Sequence, residues 1–295
     1  MRLSSRRYEV ESLEAVQEFF HHRGWTDGLP IVPPTVEIVQ ACLDKSSFPA
    51  DYLVGIEPVR GRHISAEKLA VNSIMAGCLP SYFPSVVAAI TAMLQKPFLL
   101  HGAMASTSGC AVLMVFNGPI RKELGMSSTF SVLGGSGNRA TTAIGRAVYL
   151  TLFNLLDFRP GMHDQSTIGH PSKFSYCLAE DEENTLWESL AVERGVPKET
   201  SAVTVMAAMA PRQIMNEWTT VPEEILDTFI AEMKANMRHY SIYAGNYIII
   251  IPPQLRAHFL NAAWSKQDIQ HYVFEKARVR RSEWADCGKS AIVGS

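Results

Sequence analysis

Residues 71–116 carry a single lysine, Lys96, and no arginine or carboxylate. A stretch of that length without charge cannot stand in water on all sides, so it has to form the middle of a core. Within it, residues 84–95 read as a helix that is apolar nearly all round and therefore buried on every face. Residues 97–104 and 111–116 are apolar runs of strand length, joined by the small-residue turn ASTSGC. The whole chain has 295 residues, enough for a sizeable core. Only 19% of its residues are charged, against about 25% in an ordinary soluble domain. That shortfall implies covered surface, as in a homo- or hetero-oligomer.

The flanking segments alternate in type. Ser12 caps a helix that Gly24 ends, and Thr35 caps a second. Between them GWTDGLPIVPPT, with its Asp-Gly and Pro-Pro pairs, has to be an ordered arm. A short strand is expected over residues 52–59, a helix opened by Ser65, and a short helix near IRKELG. The Gly-rich turn LGGSGN then leads into a long helix from Arg139, and a loop covers residues 157–173. Strands at FSYCLA and SAVTVMAA flank a helix around NTLWESLAVERG. A helix from Pro222, a buried strand YIIIIPP and two further helices follow. This order predicts an α/β fold with a mixed or mostly parallel sheet, covering helices and a buried apolar centre. The expected organisation is N-terminal helices and arm over 1–60, an α/β core over 61–280 and a frayed tail over 281–295.

A net charge of −2 leaves no broad electrostatic footprint for nucleic acid. No run reaches the roughly 18 apolar residues of a membrane helix, and no secretory signal is seen. The five cysteines are scattered without CxxC spacing, which argues against a disulfide framework and a zinc ribbon and for a reduced, cytoplasmic chain.

Four constellations carry candidate chemistry. In LGGSGNRATTAIGRA, Gly135 and Gly137 let a ligand approach the backbone. Asn138, Arg139 and Arg146 follow at a helix start suited to an anion, without a nucleotide fingerprint. In GHPSKFSYCLAEDEEN, His170, Lys173, Cys177 and Glu180 gather within one segment. If residues 174–179 form a strand, Lys173, Ser175 and Cys177 share a face, so the amine favours the thiolate. In HGAMASTSGCAVLMVFNGP, His101 ends one strand and Cys110 begins the next, a base and nucleophile if the fold adds an orienting group. The small-residue loop between them suits an oxyanion hole, and Asn117 adds an amide at the far end. The fourth, Trp25-Thr26-Asp27, suits packing or covering a pocket. No compact metal motif exists. A metal would need His101, His170, Cys110, Cys177 and Glu180 gathered from separate segments, so metal and cofactor are left open.

GWTDGLPIVPPT, SGNRATTAIGRA, STIGHPSKFSYCLAEDEEN and NAAWSKQDIQHYVFEKARV together resemble bacterial proteins that accompany, or are fused to, the UGSC family of (seleno)proteins. The UGSC motif itself is absent, since Ser108-Gly109-Cys110 is a different sequence. The resemblance therefore implies one subunit of a two-component enzyme, with a redox or second catalytic group on another polypeptide.

The expected function is an enzyme, or the larger subunit of one, acting on a small anionic metabolite. Acid–base and thiol chemistry would cleave or form a carbon–heteroatom bond, as in a lyase or hydrolase. The alternatives are a thiol-dependent reductase component of a two-subunit system and a non-catalytic binding or scaffold subunit.

Overall fold

The computed structural model describes residues 3–134, 137–239 and 246–289. They form two compact units, Met1–Pro211 and Arg212–Ser295. In the first unit the elements run α1 (Leu13–His22), α2 (Val36–Ser46), β1 (Leu53–Ile56), β2 (His63–Ser65), α3 (Ala66–Met75), α4 (Phe83–Met93) and α5 (Leu100–Met104). β3 (Ala111–Asn117), α6 (Ile120–Glu123), α7 (Arg139–Asn154), β4 (Cys177–Ala179), α8 (Leu190–Glu193) and β5 (Ala202–Ala208) complete it. The second unit holds α9 (Pro222–His239), α10 (Pro253–Asn261), α11 (Lys266–Lys276) and α12 (Arg281–Trp284).

The fold is α/β, with a mixed sheet flanked by helices. The sheet has the order β4-β3-β5. β3 runs parallel to β4, with Met114 opposite Cys177, and antiparallel to β5, with Ala111 opposite Ala208. All seven residues of β3 are buried. A strand covered on both faces reads as a continuous apolar run rather than an alternation, which is why AVLMVF has none. α4 and α7 pack against the sheet and against each other, and α3 lies along α7. Phe83, Ile90, Met93, Ile144 and Leu150 are among the core side chains, each almost fully buried; burial of one such side chain stabilises by about 1.5–3 kcal/mol. On α4 only a stripe at Pro84, Ala88 and Thr91 is exposed.

Ser12, Ser65 and Asn138 cap α1, α3 and α7 through their side chains. Thr35 precedes α2 without a side-chain cap bond. The arm between α1 and α2 has no regular structure and is held by side chains instead. Gln17 bonds both the N–H and the carbonyl of Ile31, each at 2.9 Å. Asn154 and Arg159 donate to the carbonyls of Trp25 and Gly24. Arg146 forms a two-pronged pair with Asp27 at 2.8 and 2.7 Å.

Four expectations need correction. Residues 97–104 are not a strand: a single 3₁₀ turn ends at Leu99, whose φ is +53°, and α5 follows. That run lacks β-branched residues, and apolarity alone does not select a strand. The helix expected around NTLWESLAVERG shrinks to α8. Ser189 caps it, while Asn184 turns back to Asp181 and the Trp187 N–H to Thr185. YIIIIPP is neither strand nor buried: Tyr247 and Ile250 are exposed, no strand is formed, and the Pro252 carbonyl accepts from the Arg256 N–H at 3.0 Å at the start of α10. A β-branched run expresses a preference that needs a neighbouring strand to be realised. The tail, expected to fray, carries α12 and a further turn to Lys289. Trp284 Nε1 donates to the carbonyl of Met237 in α9, and Glu283 pairs with Arg238.

No single helix among the described residues is long and apolar enough to cross a membrane. The apolar pair Pro80–Met93 and Lys96–Met104 is bent by 71°.

Candidate active site

A small cleft of about 30 Å³ opens at the N-terminal ends of β3 and β4. Cys110, Gly145, Tyr149, Asp164, Lys173 and Tyr176 are among its lining residues. Two loops meet here because glycines permit it. Gly109 has φ +75° and Gly169 φ +59°. A Cβ on Gly109 would stand 3.6 Å from the Cα of Gly169 and 3.4 Å from the Cβ of Ser166. α7 reaches the same place through Gly145, where a Cβ would overlap the Ser175 hydroxyl.

The charged centre of the cleft is Lys173, which follows Pro171 in a 3₁₀ turn. Its ammonium is paired with Asp164 and donates to Ser166 Oγ at 2.9 Å. Asp164 also accepts from the Ser166 N–H at 3.1 Å and hydroxyl at 2.6 Å, a side-chain turn that fixes the loop. Burial pushes the Asp164 carboxyl up, but Lys173 and Ser166 more than offset it and hold the group below its usual range. Asp164 is thus an anion at neutral pH. The ion pair to Asp164 and the bond to Ser166 together make Lys173 an electrostatic anchor for the loop.

His170 lies beside this anchor, its ring edge-on to Tyr176 with centroids 6.0 Å apart. Both ring nitrogens are buried and neither reaches a partner at hydrogen-bonding geometry. Burial and then the Lys173 charge lower its pKa, with the Gly109 backbone opposing. The imidazole is therefore neutral at pH 7, with the Gly109 backbone its nearest polar neighbour. Tyr149 is pushed up to about 12 by burial and by the charges of Asp164 and Asp27, so it keeps its proton. Cys110 is half-buried, with Sγ 3.5 Å from Ser108 Oγ and 3.6 Å from Met209 Sδ.

The structure thus brings His170, Lys173 and Cys110 together and places the other expected residues elsewhere. Lys173, Ser175 and Cys177 do not share a strand face, because the strand begins only at Cys177. Cys177 points into the core, where burial drives its thiol far above the ordinary range; it is not a thiolate. Glu180 and Asn117 sit at the opposite end of β3, roughly 20 Å away at ~3.3 Å per residue. There Asn117 Nδ2 donates to Glu180 and Glu182 at 2.7 and 2.8 Å, and the Leu190 N–H donates to Glu180. Buried Arg121 binds Glu182, Glu183 and the Glu180 carbonyl.

His101 lies in α5 and faces Glu57, not Cys110. Arg139 donates to the Gly77 carbonyl at 3.1 and 3.0 Å, and Arg146 is taken up by Asp27. Asn138 caps α7 and donates to the Gly125 carbonyl. Gly137 stands ahead of that helix with φ +74°, and Gly135 lies outside the described residues. Among the described residues no three His, Cys, Asp or Glu side chains converge as metal ligands.

Sequence reasoning missed Asp164, Ser166 and Tyr149. Asp164 is one of two aspartates in a long loop, and only its pairing with a lysine nine residues on singles it out. Tyr149 is one turn past Gly145 on α7, a spacing visible in the sequence but without chemistry until the cleft is known.

No known protein family, curated protein or solved structure matches this chain.

Proposed function

We propose that the protein is an enzyme, or the larger subunit of one, that works on a small carboxylate-bearing metabolite at the cleft beside β3. The reaction class is cleavage or formation of a carbon–heteroatom bond by acid–base chemistry. The observation that carries this reading is His170, neutral, with both buried ring nitrogens lacking a partner at full hydrogen-bonding geometry and only the Gly109 backbone close by, beside a fixed ammonium. Lys173 binds the substrate oxygen on which negative charge builds. His170 takes a proton from the adjacent carbon, the carbon–heteroatom bond breaks with its electron pair leaving on the heteroatom, and the imidazolium returns the proton there. Tyr149 and Tyr176, both protonated, flank the cleft. Cys110 borders the same space. Its neighbours are a hydroxyl and a thioether, so its role is contact rather than thiolate attack. A cleft of about 30 Å³ suits the reacting end of a small molecule. Five unpaired thiols suit a reducing compartment.

The test is incubation with a panel of two- to five-carbon hydroxy- and amino-carboxylates, followed by proton NMR. At least one acid should be chemically altered, with the rate falling about 100-fold or more in His170→Asn while the melting temperature holds. Full turnover in His170→Asn would overturn the reading, as would thermal stabilisation by an acid that is never changed, the behaviour of a binding subunit.

A further inference from the structure

Glu57 directly follows β1 and its side chain is 0% exposed. The hairpin turn to β2 explains part of that burial. The Glu57 N–H donates to the Arg62 carbonyl at 2.8 Å, and the Gly61 N–H to the Glu57 carbonyl at 3.0 Å. Its carboxylate accepts from the N–H groups of Val59 and Arg60 at 3.1 and 2.7 Å. A carboxylate offers about four acceptor positions, so capacity remains. Two buried donor atoms without a bond stand just beyond reach: His101 Nδ1 at 3.6 Å and Arg60 Nε at 3.5 Å. The Arg60 guanidinium is otherwise engaged with His163 and the Leu156 carbonyl, and lies 4.5 Å from the centroid of Phe158. The His101 ring leans on the same Phe158, centroids 5.9 Å apart. Phe158, and Met104 one turn after His101 in α5, both line the cleft.

We infer that Glu57 and His101 form a second acid–base dyad at the Phe158 side of the cleft, with Glu57 the positioning residue and His101 Nε2 the working atom. Which imidazole nitrogen carries the proton is set by the partner of the other. A buried carboxylate facing Nδ1 holds the proton there and leaves the Nε2 lone pair free. Nε2 is the nitrogen that meets solvent, since the ring is 29% exposed and Nδ1 is the enclosed atom. Hydrogen bonds between a base and its orienting carboxylate tighten when a ligand draws on the free nitrogen. The use of Nε2 on substrate rests on the function proposed above; the dyad does not.

The experiment is ¹H–¹⁵N NMR of the His101 ring in the full-length, ¹⁵N-labelled protein at pH 8, assigned by difference from His101→Asn. The Nδ1–H tautomer should dominate in the wild type. In Glu57→Gln, whose amide can donate to Nδ1, the balance should move at least threefold towards Nε2–H. Acylation of His101 by diethyl pyrocarbonate, read by mass spectrometry, should slow by a similar factor. A dominant Nε2–H tautomer in the wild type, or the same ratio in both proteins, would overturn the dyad. Should Glu57→Gln fail to fold, the wild-type tautomer decides alone. Turnover separates the two proposals: loss in His170→Asn with none in His101→Asn would confine proton transfer to His170 and remove His101 from the reaction.

Discussion

The two ends of β3 carry polar groups of similar kind arranged to opposite effect. At the Asn117 end every charged group has a partner: Arg121 spans Glu182, Glu183 and two backbone carbonyls, and Glu180 takes an amide and a backbone N–H. At the Cys110 end Lys173 is fixed, but neither ring nitrogen of His170 beside it meets a partner at full hydrogen-bonding geometry. A network whose charges are all matched stabilises and specifies a fold. A network left open at one nitrogen next to a cleft has something to offer a ligand. The Asn117 end looked richer in chemistry along the chain, with four carboxylates in a row, yet it is the closed one.

Substitutions can break that contrast. The largest effect is expected from Arg121→Met, which strips several buried contacts, leaving Glu182 with only Asn117 and the Gly118 N–H and Glu183 with only Lys122; stability should fall by about 3–5 kcal/mol, measured by urea unfolding. A loss below about 1 kcal/mol would show that the closed end is not the structural clamp. Next is Gly145→Ala on the cleft side. The new methyl would overlap Ser175, whose Cα lies 3.1 Å from the Cβ position, so backbone has to move. The expected cost is about 1–3 kcal/mol, with turnover falling because α7 lines the cleft. The smallest effect concerns pH. Arg121, and then Lys122, hold the Glu183 carboxyl at about 2, against burial. Its folded pKa lies below the ordinary 4.5, so its contribution is present above that value and lost as pH falls towards 2. The stability difference between wild type and Glu183→Gln should therefore shrink over that interval. A constant difference would mean that Glu183 acts by packing alone.

How much of this was legible follows from what each feature depends on. Caps at Ser12 and Ser65, the buried run of β3 and the start of α9 at Pro222 are local or periodic signals and stand in the structure, whereas Thr35 precedes α2 without a side-chain cap bond. The failures depend on neighbours. Residues 97–104 and YIIIIPP are both apolar, and only a pairing strand decides whether such a run becomes sheet. The candidate site was half legible. His170 and Lys173 were found because they lie three residues apart. Cys177 and Glu180 followed them in sequence but leave them in space, since β4 carries one thiol into the core and delivers the carboxylate to the far end of the sheet. Asp164 needed the loop to close on itself before it showed.

The arm between α1 and α2 has a consequence for the order of events in folding. The Gly24 and Trp25 carbonyls and the Asp27 carboxylate are held by donors on and just beyond α7, 119 to 135 residues away in the chain. Contacts of such sequence separation form late, after the loops between them have closed. The arm also lacks a ladder of its own. Its first half therefore orders only once α7 has docked, whereas Ile31 is already held by Gln17 of α1. A fluctuation that lifts α7 frees that first half, so that the two exchange their amide protons as one cooperative unit.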